Sequence, residues 1–273
     1  MRDKVSVTFK GRELKESECG FLNKATLFGE NPFTCFKMVN GEFQSLDLHL
    51  ERLKKSYEFL YEKDFESVSE NILKDLNQLR ETKGTYYIRI TFFESLQSED
   101  VEYFLIKKEL SNHDKEVEVN VCFSNTRRVR TSLPSFLKLG NYSDSEIELR
   151  SLKSKNIQEV VYLNEEGQIT EASKSNVFLV KGDKVITPKI SYGVLEGVIR
   201  ANLIKFLNEE GIEIVEREVG RDELLAADEV WLTNAIKGLR AVSSFEGNKL
   251  DKQCYNKVNE KFSLYMNKRG NHE

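Results

Sequence analysis

Apolar and polar positions recur along this chain with two different periods, and the switches between them predict its elements. "KVSVTF" and "FTCFKMVNGEF" read as strands, and Asn40-Gly41 within the second is a dipeptide favoured in two-residue hairpin turns. In "SLDLHLERLKKSYEFLYEK" the period lengthens. Leu46, Leu50, Leu53, Tyr57 and Leu60 fall on one helix face, and Asp47 is placed to cap the start. "ESVSENILKDLNQLRE" predicts a second amphipathic helix, and "GTYYIRITFFE", "VEYFLIKKEL" and "EVEVNVCFS" predict three further strands. These elements make a small N-terminal α/β domain over residues 1–120.

"SNTRRVRTSLPS" is polar, basic and weakly periodic and contains Pro134, which predicts an interdomain linker over residues 121–137. A larger C-terminal α/β domain is expected over residues 138–273. It holds a helix in "SDSEIELRSLKSKN" and a strand series from Glu159 to Pro188 with turns at Glu166-Gly167 and Gly182-Asp183. A glycine-containing loop then enters a helix in "GVLEGVIRANLIKFLNEEG". Strands follow in "IEIVEREV" and "EVWLTNAIKGLRAVSSF", separated by the short helix "GRDELLAAD", and a closing helix lies in "DKQCYNKVNEKFSLYMNK". The expected fold class is therefore α/β (α+β), in two domains.

Composition narrows the function classes. A net charge of −4 and the lack of any long block of like charge leave nothing to hold nucleic acid, although local charges could hold a small anion. Cys19, Cys35, Cys122 and Cys254 are scattered without CxxC or zinc-type spacing, as expected of free thiols in a reducing compartment. No signal-peptide core and no membrane-length apolar run is seen, so a cytoplasmic protein without membrane partners is expected. With His49, His113 and His272 as the only histidines, no metal site is expected.

Four features could carry chemistry. "LPSFLKLGNY" places Lys138 in a run that is otherwise apolar or small. Such a lysine is either solvated at the surface or an imine-forming amine kept neutral by apolar neighbours. Glu171, in "GQITEASKSNVF", stands between two apolar strands; if buried, it needs a cationic or hydrogen-bonding partner. Arg52 lies three residues after His49 on one helix face, as a solvated arginine or a bidentate phosphate clamp. Gly193 and Gly197 flank a helix start, where free N–H groups can bind phosphate. "LTNAIKG" adds Thr233, Asn234 and further backbone donors after a strand.

In order and spacing, from about residue 22 to about residue 245, these pieces resemble the class IV aminotransferase family, the fold-type IV pyridoxal-phosphate enzymes. "NKATLFGENPFTCFKMVNGEFQSLDLHLERLKKS" is similar to the family's N-terminal signature, which ends in a helix carrying His-x-x-Arg; His49 and Arg52 match it. The resemblance places the imine lysine at Lys138, in a Lys-x-x-Asn context with Asn141, and the acid that pairs with the pyridine nitrogen at Glu171. It assigns the cofactor phosphate to Arg52, to the backbones of Val198 and Ile199 in "LEGVIR", and to Asn234 and Ala235 in "TNAIKG". It also implies a two-domain fold with pyridoxal 5'-phosphate in the interdomain cleft, and a homodimer whose partner completes the site. The cofactor needs an amine, a carboxylate that keeps its ring nitrogen protonated, and a phosphate anchor. Once displaced, the same lysine can move the substrate's α-proton.

The substrate side departs from the family pattern. The loop beginning Phe93-Glu94-Ser95 lacks the arginine of the D-amino acid enzymes, so Arg127 and Arg130 are the candidates for a substrate carboxylate. Thr34 stands where aminotransferases often carry glutamate and, with Thr233-Asn234-Ala235, leans toward the lyase branch; Gly140-Asn141-Tyr142 leans toward the branched-chain enzymes. Amino-group transfer on a branched-chain or D-amino acid is the expected activity. The alternatives are cleavage of aminodeoxychorismate to 4-aminobenzoate and pyruvate, and a non-catalytic relative that keeps the fold for binding.

Overall fold

The computed structural model describes residues 8–9, 12–13, 23–95, 100–110, 119–128, 133–190 and 193–269. Strands β1 (Thr8–Phe9) and β2 (Arg12–Glu13) form a small ribbon. After helix α1 (Lys24–Phe28), strands β3 (Phe33–Val39) and β4 (Glu42–Phe43) form a hairpin. Asn40 and Gly41 both take positive φ, 51° and 88°, as the predicted turn requires. Helices α2 (Leu46–Tyr61) and α3 (Glu66–Asn77) precede strands β5 (Thr85–Glu94) and β6 (Val101–Glu109). The sheet order is β4-β3-β5-β6. Its inner face, with Phe36, Ile88, Ile90 and Phe92, packs on Leu53, Tyr57, Ile72 and Leu76 of the two helices. No side-chain cap bond forms at Ser45, the residue before α2, and Asp47 lies inside the first turn, where its charge complements the helix dipole.

The chain continues through β7 (Asn120–Arg127), α4 (Ser143–Leu152), β8 (Glu159–Leu163), β9 (Ile169–Ala172), β10 (Asn176–Lys181), β11 (Lys184–Pro188), α5 (Val198–Glu209), β12 (Ile214–Arg217), α6 (Arg221–Leu225), β13 (Glu229–Asn234), β14 (Gly238–Ala241), β15 (Ser244–Phe245), β16 (Asn248–Lys249) and α7 (Gln253–Arg269). Two five-stranded sheets result, ordered β16-β15-β7-β8-β9 and β12-β11-β10-β13-β14. Val121, Val161, Val177, Leu179, Val230 and Leu232 form the core between them. On the far side of the second, Phe178, Trp231 and Ala241 pack against Leu203 and Phe206 of α5 and Phe262 of α7. This burial on both faces explains the nearly unbroken apolar run of β10, "NVFLVK".

One boundary differs from the sequence expectation. Residues 121–127, expected to open a linker, belong to β7, which pairs in parallel with both β8 and β15. Alternation in "EVNVCFS" reveals a strand but not its partner, and the partners Ser244 and Glu159 lie far along the chain. Among the described residues, no helix is long and apolar enough to cross a membrane.

Candidate active site

A cavity of about 470 Å³ lies between the outer face of the first sheet, the turn after β9, the start of α5 and the end of β13. Arg52, Lys138, Glu171, Val198, Ile199, Asn234 and Ala235 all line it, so the residues expected to hold one cofactor meet in one place.

Helix α2 carries two stripes. Leu53 and Tyr57 enter the core of the first sheet, while His49, Arg52 and Ser56 form a second, also buried stripe. Arg52 donates from Nη1 to the Glu196 carbonyl (3.0 Å) and from Nη2 to Thr34 Oγ1 (3.3 Å). It has no carboxylate partner among the described residues, and burial pulls its pKa below the ordinary value. A buried guanidinium of this kind remains charged and calls for an anion. Thr34 Oγ1 also meets His49 Nδ1 at 2.8 Å. Burial first, then the charges of Arg52 and Lys138, hold the imidazole well below its usual pKa, so His49 is neutral at pH 7. Its Nε2 is buried with no hydrogen-bond partner among the described groups, although His49 lines the cavity.

Lys138 is fixed through its backbone: its carbonyl accepts the Phe33 N–H at 2.9 Å. Its Nζ donates to Tyr142 Oη at 2.6 Å and stands 4.9 Å and 5.2 Å from the ring centroids of Phe33 and Tyr142. These aromatic neighbours are not the apolar residues beside it in sequence. Leu133 is exposed, and Phe136 packs edge-on against Phe59. Glu171 lines the cavity, and its Oε2 accepts the Leu195 N–H at 3.0 Å. It has no ion-pair partner among the described residues. Desolvation raises its pKa, helped by Glu159 and opposed by the Leu195 N–H, Arg128 and Lys138.

Val198 and Ile199 open α5, where N–H groups have no partner within the helix. Gly197 precedes them because the chain there touches Asn176. A Cβ on Gly197 would lie 1.9 Å from Asn176 Oδ1. Asn176 Nδ2 in turn holds the Leu195 carbonyl at 2.9 Å, beside the N–H that caps Glu171. Gly197→Ala is therefore expected to displace this loop and weaken cofactor binding by about tenfold or more, while Gly211→Ala, in open space at a positive φ, affects stability alone. Cofactor titration alongside thermal melts separates the two effects.

Asn234 serves chiefly to shape its turn. Its Oδ1 accepts the N–H groups of Ile236 (3.1 Å) and Lys237 (2.7 Å), and its Nδ2 donates to Ser175 Oγ (3.0 Å). Thr233 Oγ1, by contrast, is buried without a hydrogen-bond partner among the described groups, and Thr233 lines the cavity.

The substrate-side candidates fall elsewhere. Thr34 is fully buried and does not line the cavity, because alternation along β3 turns it toward α2 and turns Cys35 to the cavity. Arg127 is exposed on β7 and donates to the Asn164 carbonyl (2.8 Å), away from the cavity. Arg130 lies outside the described residues. The cavity arginine missed from sequence is Arg89, on β5 opposite Cys35, with its guanidinium 3.7 Å from the Phe33 ring centroid and Nε on Thr91 Oγ1 (2.8 Å). Tyr87, two residues before it, lines the same wall. Alternation in "TYYIRITFF" carries the signal: Ile88, Ile90 and Phe92 are fully buried, which sends Tyr87 and Arg89 to the opposite face.

The model of the family described as amino-transferase class IV matches residues 32–245, well over half of the chain. The chain belongs to this family. It is 29% identical over 241 residues to a probable branched-chain-amino-acid aminotransferase of Thermotoga maritima, covering 87% of this chain and 81% of that one. It is 27% identical to the aminodeoxychorismate lyase of Bacillus subtilis over 252 residues, 85% of this chain and 83% of that one. The fold matches that of an aminotransferase from Brucella abortus bound to the co-factor PLP, with a TM-score of 0.78 at 22% identity over 95% of this chain and 98% of that one.

Proposed function

We propose that the chain is a pyridoxal-phosphate-dependent aminotransferase acting on an α-amino acid. The observation that carries this is the convergence of three unlike groups on one cavity: the Lys138 amine, the Glu171 carboxylate without an ion-pair partner, and the buried Arg52 cation facing the start of α5. Each lacks a partner that the cofactor supplies. Arg52 and the Val198 and Ile199 N–H groups would hold its phosphate, Glu171 its protonated ring nitrogen, and Lys138 its aldehyde carbon. Bound there, pyridoxal phosphate supplies an electron sink for the electrons of the substrate's Cα–H bond.

The chain's own groups do the rest. Once a substrate amine displaces it, Lys138 Nζ would be free to take the α-proton, with the Tyr142 hydroxyl 2.6 Å away as its proton partner. Glu171 would keep the cofactor's ring nitrogen protonated. Arg89 and Tyr87 offer the substrate carboxylate a cation and a hydroxyl on the opposite wall. Thr34, itself bonded to neutral His49, accepts from Arg52 and holds its orientation without adding charge. Aminodeoxychorismate cleavage is the second reading, favoured by the similarity to the Bacillus subtilis lyase; it uses the same lysine but ends in elimination. Paired assays decide. Formation of a 2-oxo acid that depends on 2-oxoglutarate supports amino-group transfer; pyruvate release from aminodeoxychorismate supports the lyase. Cofactor binding without either reaction supports a binding protein.

We further propose that a second copy of the chain covers the outer face of the first sheet. Phe104 (42% exposed) and Ile106 (41% exposed) lie on that face, in register with Thr91 and Arg89, so the apolar patch runs directly into the cavity wall. Sedimentation should show a dimer that Phe104→Glu dissociates. A monomeric wild type at micromolar concentration excludes this pairing.

A further inference from the structure

Beside the cavity lies a buried ion pair. Glu159, the first residue of β8, is 4% exposed, and Arg240, on β14, is 8% exposed. Neither lines the cavity, and the two stand on different sheets. One carboxylate gathers an entire turn: Glu159 Oε2 accepts from Ser173 Oγ (3.1 Å) and the Lys174 N–H (3.0 Å), and Oε1 accepts from Ser175 Oγ (2.7 Å) and from Arg240 Nη2. Ser175 Oγ then accepts from Arg240 Nη2 (3.2 Å) and from Asn234 Nδ2 (3.0 Å), which uses the full capacity of a hydroxyl as one donor and two acceptors. Asn234 Oδ1 caps the Ile236 and Lys237 N–H groups. Every residue so held from 173 to 175 and from 234 to 237 lines the cavity.

We infer that the Glu159–Arg240 pair, acting through Ser175 and Asn234, is a positioning device that locks the Ser173–Ser175 turn to the Asn234–Lys237 turn and so sets the cavity wall for the cofactor. This rests on the cofactor reading above. The pair suits the task because a buried charge surrounded by donors tolerates little displacement. Polar groups that pack only for stability have no need to link two turns lining the same cavity. Glu159 also stands close enough to Glu171 to push its pKa upward.

Removing either member of the pair leaves a buried charge uncompensated and can unfold the chain. The decisive variants are therefore Ser175→Ala and Asn234→Ala, which cut the link and leave both charges of the pair in place; Ser175→Ala also removes a donor to Glu159, and Asn234→Ala the caps on Ile236 and Lys237. Affinity for pyridoxal phosphate is titrated spectroscopically for the wild type, both single variants and the double variant, with thermal melts alongside. Each single variant is expected to raise the cofactor Kd about five- to tenfold, the net worth of the Asn234–Ser175 bond that joins the two turns. The double variant is expected to fall well short of the product of the two single effects, because both cut the same link. Multiplicative effects, or single variants that bind like the wild type, overturn the device. A wild type that does not bind pyridoxal phosphate overturns the cofactor reading instead.

Discussion

Lys138→Ala is expected to lose amino-group transfer by about 10⁴-fold or more while retaining its fold. The side chain is one of several amines at the cavity, so the argument for it rests on geometry. Lys174 also lines the cavity, but its Nζ is paired with Glu146 at 2.5 Å, and its residue sits on the turn held by Glu159. Lys138 is the one whose backbone is fastened to β3 and whose amine reaches a phenol at 2.6 Å across from Glu171 and Arg52. Borohydride reduction of the cofactor-loaded protein followed by peptide mapping should place the label on Lys138. Lys174→Ala should keep both label and turnover within about threefold, as befits an exposed ion pair. Because Lys138 is only half-buried, its removal should leave thermal stability nearly unchanged. A label on another lysine, or substantial turnover by Lys138→Ala, would reject the assignment.

The sequence exposes the charged residues of this cavity more readily than its walls. Lys138, Glu171, Arg52 and the start of α5 stand out as chemically unusual residues in ordered spacing, and all of them reach the cavity. Most helices and the Asn40-Gly41 hairpin follow from local periodicity and turn chemistry, which act over a few residues. What depends on strand pairing is harder to see. Parallel β7 gains its place from Glu159 and Ser244, neither of which is near it in the chain. Arg89 stands four residues before the loop in which a substrate arginine is sought, but only knowledge of which sheet face borders the cleft distinguishes it from a surface residue. The position of Thr34 was within reach: its place on β3 puts it one residue out of phase with Phe33 and Cys35, hence toward α2. The apolar run draws attention to Lys138, yet the neighbours of its amine are the rings of Phe33, more than a hundred positions earlier, and Tyr142.

Glu171→Gln is expected to stabilise the cofactor-free protein and to disable the loaded one. Burial raises the Glu171 pKa above its ordinary value of 4.5, and the single N–H from Leu195 does not offset that cost. The sign follows from proton linkage. Between the unfolded and the raised folded pKa, the folded chain holds more protons than the unfolded chain, so stability falls as pH rises through this window and stays lower above it. Glutamine has no charge to lose, and it can still accept from Leu195. The melting temperatures of variant and wild type should therefore nearly coincide at pH 4 and separate by pH 7, with the variant higher by roughly 2–4 °C, the response of a chain this size to about 1 kcal/mol. Pyridoxal phosphate should reverse the order at pH 7, because a protonated ring nitrogen gives the wild-type carboxylate the cation it lacks and gives the amide nothing comparable. Turnover of the variant should fall on the order of 10²–10³-fold, the usual effect of removing one preorganised charge from a reacting centre. A gap in melting temperature that does not change between pH 4 and pH 7 would show that Glu171 bears no buried charge in the free protein. An unchanged gap on adding the cofactor would show that its partner is not the ring nitrogen.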